Sequence, residues 1–175
     1  MDDPCWYFAY GSNLDPDTFL GRRRMRPLAA RPARLDGFTL AFDLPVGPGE
    51  RAVANLREAA DRHVHGVAYH LGIADCTHLD RTEGVHRGYY DRRPVALVLP
   101  DGGPLEAFTY VSRFSVPNRK PSRRYLGLIL RGARHHGLPA EYLAWLATLE
   151  LAVDEREAQG ELPLQAPPGT RSEPG

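Results

Sequence analysis

A short aromatic strand that runs into a polar turn constrains this chain more than its other features do. Residues 5–10 have the sequence CWYFAY, and this run ends at Gly11-Ser12-Asn13, where a glycine and two small polar residues predict a turn. Asp15-Pro16-Asp17 matches a helix start and predicts a helix over residues 18–26. The chain therefore begins with a buried strand, a polar loop and a helix.

The middle of the chain predicts further strands that pair as antiparallel neighbours. Runs of apolar and β-branched residues bounded by turn residues cover 33–43, 51–57, 63–71, 92–100 and 105–113. Asp101-Gly102-Gly103-Pro104 separates the last two runs, which favours a hairpin. These segments predict a mostly antiparallel sheet.

Helical spacing appears three times after the first loop. A short helix is predicted over residues 73–81, so that Glu83 lies just past its end. Apolar residues recur at intervals of three and four over residues 122–136 and 140–152, which predicts two packed helices. Together with the strands, these helices predict an α+β fold.

The length fits one domain. A chain of 175 residues is long enough to bury a core without disulfide or metal support. We expect this domain to span residues 5–153. Residues 154–175, which are acidic and then rich in Pro, Gly and Ser, are expected to form a flexible tail.

Charge and cysteine content argue against several classes of protein. The chain has 22 basic and 22 acidic residues, and a net charge of zero does not suit a protein that binds nucleic acid. Cys5 and Cys76 are too few for a disulfide framework, so a cytoplasmic location is expected. We also expect no membrane partner, because the N-terminus is acidic and no apolar stretch is long enough to span a bilayer.

Two residue clusters are set aside. His63 and His65 share one face of a predicted strand near His70, but no third ligand has matching spacing, so we predict no metal site. The run Arg22-Arg23-Arg24-Met25-Arg26 follows a helix start, and we expect it to be a solvated helix face and not a nucleic-acid patch.

The turn after the first strand is a candidate site for an anion. Successive backbone N–H groups in a turn of this kind form a concave site, and the following helix start favours a carboxylate. An ordinary strand-to-helix turn has the same local pattern, so the local residues leave both interpretations open.

Separated segments of the chain resemble the gamma-glutamylcyclotransferase family. Residues 8–14, FAYGSNL, resemble its first motif, and residues 81–90, RTEGVHRGYY, resemble its segment of an acid followed by Gly-Val and Gly-x-Tyr. PSRRY at 121–125 and GARHHGLPAEY at 132–142 resemble its C-terminal helical region. The matches occur in the family's order.

This resemblance implies a small mixed, mostly antiparallel β-barrel flanked by helices, with a cavity at one end, in a protein that is often a homodimer. It implies an enzyme without a cofactor that cyclises a γ-glutamyl group into 5-oxoproline, with Glu83 as the general base and acid. It also implies substrate contacts from Tyr7, Phe8, Ala9, Tyr10, Gly11, Ser12, Asn13, Leu14 and Tyr125.

The implied chemistry needs few groups. The nucleophile is the substrate's own α-amine, so proximity supplies much of the acceleration, and one carboxylate can perform both proton transfers. For that role we expect Glu83 to lie in a partly desolvated pocket.

The leaving amine and the use of the reaction stay open. Residues 113–121 are rich in Arg, Lys and Pro, which raises the hypothesis of a basic rim that favours an acidic leaving group; a solvated basic loop is the alternative. The reaction itself has alternatives too. One is removal of a γ-glutamyl protecting group in natural-product biosynthesis, and another is a non-catalytic module that binds a small carboxylate or mediates dimerisation.

Overall fold

The computed structural model describes residues 4–47 and 49–153, so the predicted tail lies outside the described residues. The strands are β1 (Cys5–Ala9), β2 (Ala29–Pro45), β3 (Ala52–Leu71), β4 (Asp91–Val98) and β5 (Pro104–Val111). The α-helices are α1 (Ile73–Glu83), α2 (Arg123–His135) and α3 (Ala140–Ala147). The strands close into a barrel in the order β1-β3-β2-β4-β5, which confirms the predicted α+β barrel.

All strand pairs in the barrel are antiparallel except one. β1 pairs with β3 over its whole length, and it closes the barrel through a parallel pairing of Tyr7 with Phe108 on β5. Tyr7, Phe8 and Ala9 of β1 are buried and Cys5 and Trp6 are half-buried, which agrees largely with the buried strand that the aromatic run predicted. The buried core includes Phe8 of β1, Leu14 of the following loop and Ile129 of α2.

The two long strands correct the prediction of three separate strands between residues 33 and 71. β3 runs without a break through the polar stretch around Asp61. Residues 59–62 have no partner on β2, because the pairing passes from Asp36–His63 to Phe38–Glu58. Gly37, opposite, has a φ of 79°, a left-handed conformation that glycine adopts without strain. A bulge therefore absorbs the polar residues that suggested a loop.

The first predicted helix is shorter than residues 18–26. Asp17–Arg22 forms a π-helical segment, in which the backbone N–H of Arg23 donates to the carbonyl of Thr18 at 2.9 Å. The segment ends because Arg24 has a φ of 56° and Met25 turns into the core, where it is fully buried. This early end determines where the arginine side chains point.

Two other helix ends also differ from the prediction. α1 includes Glu83 as its last residue, and Gly84 ends it in a left-handed conformation with a φ of 69°. α3 ends at Ala147, because the next residues turn back and the N–H of Ala152 donates to the carbonyl of Pro121 at 2.9 Å.

Cys5 and Cys76 form a disulfide that joins β1 to α1. Two cysteines were too few to predict a disulfide framework, and a separation of 71 residues gave no sign of this pair. The bond ties the strand that carries Tyr7 to the helix that carries Glu83. Within the described residues, no helix has the length and apolar character that crossing a bilayer requires.

Candidate active site

The loop after β1 is held in place from behind by α2. Its short 3₁₀ turn, Ser12–Leu14, is closed by hydrogen bonds from the Leu14 N–H to Gly11 and from the Asp15 N–H to Ser12, at 3.0 and 3.1 Å. Gly132 of α2 lies so close to the Leu14 backbone that a Cβ at this position would collide with it. The loop therefore rests directly on the helix.

A buried carboxylate strengthens this attachment. Asp15 accepts hydrogen bonds from both the N–H and the hydroxyl of Thr18, and its other oxygen lies 3.1 Å from a guanidinium nitrogen of Arg131 on α2. Asp15 is almost completely buried, so these partners compensate for its desolvation.

Glu83 lies against the same loop. The side-chain amide of Asn13 donates to Oε1 of Glu83 at 3.1 Å, and it also donates to the hydroxyl of Tyr7 at 2.9 Å. Nη2 of Arg23 lies 3.0 Å from the same carboxylate oxygen. Only 12% of the Glu83 side chain is exposed, in agreement with the partly desolvated pocket that we expected.

One cavity of about 600 Å³ contains these groups. Of the residues predicted from the sequence, the structure brings together Tyr7, Tyr10, Gly11, Ser12, Asn13, Glu83 and Tyr125 in its lining. Residues from three distant parts of the chain therefore surround one space, which has the size of a pocket for a small molecule.

Three of the predicted contact residues do not line this cavity. Phe8, Ala9 and Leu14 have no exposed surface and are part of the core. Alternate residues of a strand point to opposite faces, so Tyr7 reaches the cavity while Phe8 cannot. Phe8, Ala9 and Leu14 support the loop from below, and substrate contacts from their side chains are not compatible with this placement.

Tyr125 enters the cavity from the first turn of α2. Ser122 caps this helix by accepting a hydrogen bond from the Tyr125 N–H, and the Tyr125 hydroxyl accepts one from the Ala54 N–H at 3.1 Å. A Cβ on Gly11 would lie 3.0 Å from that hydroxyl. Glycine at position 11 therefore lets the loop approach Tyr125 closely.

Tyrosine hydroxyls dominate the polar part of the cavity, and their environment keeps them protonated. Burial raises the pKa of Tyr7 well above its ordinary value, and the charge of Glu83 raises it further. Burial also raises the pKa of Tyr10, Tyr90 and Tyr110. At neutral pH these groups are uncharged hydrogen-bond donors.

Sequence reasoning missed several lining residues. Tyr90 belongs to the quoted RTEGVHRGYY segment, which was the available signal, but Arg23 was assigned to a solvated helix face. Its neighbours Arg22 and Arg24 are exposed as expected, whereas Arg23 turns inward to Glu83 and Thr82. The other missed residues are Leu44, Pro45, Val53, Ala54, Thr82, Tyr89, Tyr110, Phe114 and Val116.

The hypothesis of a basic rim is wrong for this cavity. Arg113 is largely exposed and pairs with Asp91, and Lys120 pairs with Glu150. From the segment 113–121, the residues that line the cavity are Phe114 and Val116. Across residues 4–47 and 49–153, no cluster of at least three His, Cys, Asp or Glu side chains is arranged to hold a metal ion.

Comparison with known proteins identifies the family of this chain. Residues 63–146 match the AIG2-like family. The chain is 32% identical over 150 residues to Gamma-glutamylcyclotransferase of Bos taurus, and this alignment covers 82% of the chain and 78% of the relative. This chain belongs to the gamma-glutamylcyclotransferase family. The resemblance found in the sequence is thereby confirmed.

Other family members show similar agreement. Gamma-glutamyl cyclotransferase gliK of Claviceps purpurea is 33% identical over 144 residues, covering 77% of the chain and 65% of the relative. A solved structure titled Gamma-glutamyl cyclotransferase superposes with a TM-score of 0.76 at 27% identity, over 85% of this chain and 89% of that one. The barrel and its flanking helices are thus those of the family.

Proposed function

We propose that this protein is a gamma-glutamylcyclotransferase that converts a γ-glutamyl amide into 5-oxoproline and a free amine or amino acid. Family membership supports the reaction. The placement of Glu83 supports its assignment as the catalytic acid and base. Its carboxylate is mostly buried, shares a cavity with the loop at 10–13, and contacts Asn13 and Arg23.

The proposed reaction is balanced with one carboxylate. Glu83 accepts a proton from the substrate's α-ammonium, and the freed nitrogen attacks the γ-carbonyl carbon to close a five-membered ring. The bond between that carbon and the amide nitrogen then breaks. The leaving nitrogen takes this proton from Glu83 as the bond breaks. The carboxylate then accepts the second proton, which the ring nitrogen must lose to become the lactam N–H, and passes it to the departing amine. The carboxylate is thereby restored, and the amine leaves as an ammonium ion.

Neutral donors around Glu83 fit the charge that develops during this reaction. The intermediate carries its negative charge on the former carbonyl oxygen, and preorganised donors in a water-poor cavity stabilise such a charge. The hydroxyls of Tyr90 and Tyr125 and the groups of the loop at 10–13 line the cavity, and we assign this role to them.

The same reaction accommodates a larger leaving group. Removal of a γ-glutamyl protecting group in a biosynthetic pathway breaks the same bond, and a cavity of about 600 Å³ has room beyond the γ-glutamyl head. A non-catalytic role for the domain is less consistent with the positioned carboxylate of Glu83.

The reaction class, the oligomeric state and the cellular location are proposals as well. We propose that the chemistry is that of a lyase, since ring closure expels the amine without hydrolysis. We propose a homodimer in the cytoplasm. The Cys5–Cys76 disulfide argues against a reducing compartment, because such bonds persist in oxidising ones, so the cytoplasmic proposal requires that this pair be reduced in the cell. Thiol titration of the denatured protein under rapid acid quench would measure the state of this pair.

The direct test is release of 5-oxoproline from γ-glutamyl-alanine by the purified protein. We expect turnover without added metal or cofactor, and the free alanine should equal the 5-oxoproline formed. Production of free glutamate in its place would indicate hydrolysis and would contradict the proposal.

A further inference from the structure

The cavity has two chemically different halves. The half around Glu83 carries the amide of Asn13, the hydroxyl of Ser12 and several tyrosine hydroxyls, which suit the ammonium and carboxylate of a γ-glutamyl head. The other half is apolar, and its lining residues are Leu44, Pro45, Val53, Phe114 and Val116.

Tyr125 lies between these halves. Its hydroxyl approaches Gly11 on one side and accepts a hydrogen bond from Ala54 on the other. Ala54 follows Val53, which pairs with Leu44 across the β2–β3 ladder. Tyr125 and Ala54 therefore connect the half around Glu83 with the apolar half.

Buried polar groups fix the segment that completes the apolar half. The Asp43 carboxylate accepts hydrogen bonds from Asn55 and Ser115, each at 3.0 Å, and the Asp43 carbonyl accepts one from the Val116 N–H at 2.9 Å. Asn55 and Ser112 are fully buried and hydrogen-bonded to each other. Segment 112–116 is therefore preformed.

Arg57 reinforces this arrangement from outside the cavity. Its guanidinium pairs with Asp43 and donates to the carbonyls of Ser112 and Phe114, the latter at 2.8 Å. Phe114 and Val116 nevertheless keep 55% and 36% of their surface exposed. Apolar surface that is held rigidly open at a cavity mouth gains free energy when an apolar group covers it.

Charge at this end of the cavity does not suit an acidic leaving group. Among the described residues that line the cavity, Arg23 is the only cation, and it pairs with Glu83 in the other half. A side-chain carboxylate placed between Val53 and Phe114 would find no cationic partner there, and it would not gain the free energy that an apolar side chain gains by covering this surface.

We propose that the apolar half is the subsite for the leaving amine, and that the substrates are γ-glutamyl amides of amines or amino acids with apolar or aromatic side chains. This inference rests on the proposed function. It differs from the basic-rim hypothesis, which predicts the opposite preference.

The test compares three substrates of similar size: γ-glutamyl-leucine, γ-glutamyl-asparagine and γ-glutamyl-aspartate. Leucine and asparagine differ mainly in polarity, and kcat/KM for 5-oxoproline release measures the preference. We expect γ-glutamyl-leucine to exceed the other two by on the order of tenfold or more. Equal values, or a preference for aspartate, would overturn the inference while leaving the proposed function intact.

Matched variants locate the preference in the structure. Val116→Thr introduces a hydroxyl of nearly the same shape into the subsite, and Phe114→Ala removes its largest apolar group. Both should lower the leucine-to-asparagine ratio, by about threefold and about tenfold, respectively. Val46→Thr changes an exposed valine outside the lining and should leave the ratio unchanged. An unchanged ratio in both subsite variants would contradict the assignment.

A binding measurement separates the subsite from the chemistry. Calorimetry with Glu83→Gln should show tighter binding of γ-glutamyl-leucine than of γ-glutamyl-aspartate. If the wild type releases no 5-oxoproline but this binding order holds, the proposed function fails and the apolar subsite stands. If neither turnover nor the binding order is found, both fail.

Discussion

The Nη2 atom of Arg23 lies 3.0 Å from Oε1 of Glu83, although 60 positions separate the two residues along the chain. Another nitrogen of the same guanidinium donates to the Thr82 hydroxyl at 2.8 Å. Arg23 therefore contacts the end of α1 through two neighbouring residues, Thr82 and Glu83. We infer that it positions the proposed catalytic carboxylate.

Replacing Arg23 should impair catalysis and should also lower stability. Arg23→Met removes both contacts, so Glu83 gains rotational freedom and kcat should fall by on the order of tenfold. Because only 21% of the Arg23 side chain and 12% of the Glu83 side chain are exposed, loss of this pair should also lower the free energy of unfolding, by about 1–3 kcal/mol. Steady-state kinetics and urea denaturation measure these two effects. Arg22→Met, at an exposed neighbouring position, is the control; equal losses in both variants would contradict a positioning role.

The same substitution should have opposite effects at two tyrosines, the half-buried Tyr125 and the buried Tyr142. In Tyr125→Phe the Ala54 N–H loses its acceptor, which should cost about 1–3 kcal/mol in stability, and 5-oxoproline release should also fall. The hydroxyl of Tyr142 is buried and has no hydrogen-bond partner among the described residues. Tyr142→Phe should therefore be neutral or stabilising. Thermal unfolding of both variants is the measurement, and a larger loss in Tyr142→Phe would contradict these contacts.

A single methyl group at position 11 should disturb the site. In Gly11→Ala the new Cβ would lie 3.0 Å from the Tyr125 hydroxyl and 3.4 Å from the Ala54 Cβ, so the loop or the tyrosine must move. We expect kcat/KM to fall by on the order of tenfold or more. Gly21→Ala is the control because no heavy atom lies within 4 Å of its added Cβ. Full activity in Gly11→Ala would show that the close approach is unimportant.

Stability should decline on the acid side of neutrality, in part through His136. Burial lowers the pKa of this ring and the neighbouring His135 lowers it further, so the unfolded chain, with a pKa of about 6.5, binds the proton more readily. The free energy of unfolding should fall as the pH drops below about 6.5 and be unaffected by this group above it. His136→Gln should reduce the difference between pH 8 and pH 5.5, while His86→Gln, at an exposed position, should not. Identical pH profiles for wild type and His136→Gln would refute this.

The residues in the half of the cavity around Glu83 were largely predictable from the sequence, whereas the residues of the apolar half were not. FAYGSNL and RTEGVHRGYY are contiguous segments that resemble motifs of the family, and this resemblance, which local chemistry alone does not supply, points to Asn13 and Glu83. Phe114 and Val116 reach the cavity because Asp43, about 70 residues earlier, holds their segment. Nothing local distinguishes them from residues of a solvated loop.

Two further differences, the inward position of Arg23 and the uninterrupted strand β3, could not be predicted from local sequence either. Arg23 directly follows a π-helical segment that ends at Arg22, and its side chain reaches Glu83, which a regular helix over residues 18–26 did not predict. In β3, residues 59–62 are polar like a loop, but the pairing on either side extends the strand through them. Both outcomes depend on tertiary contacts that local propensity does not contain.

The central claim is that Glu83 transfers the protons, and Glu83→Gln tests it most directly. Glutamine keeps the shape of the side chain and an oxygen that can accept from Asn13, so the fold and ligand binding should persist. We predict that 5-oxoproline release from γ-glutamyl substrates falls by about a hundredfold or more, with an unchanged melting temperature. A Glu83→Gln variant that releases 5-oxoproline as fast as the wild type would contradict the account.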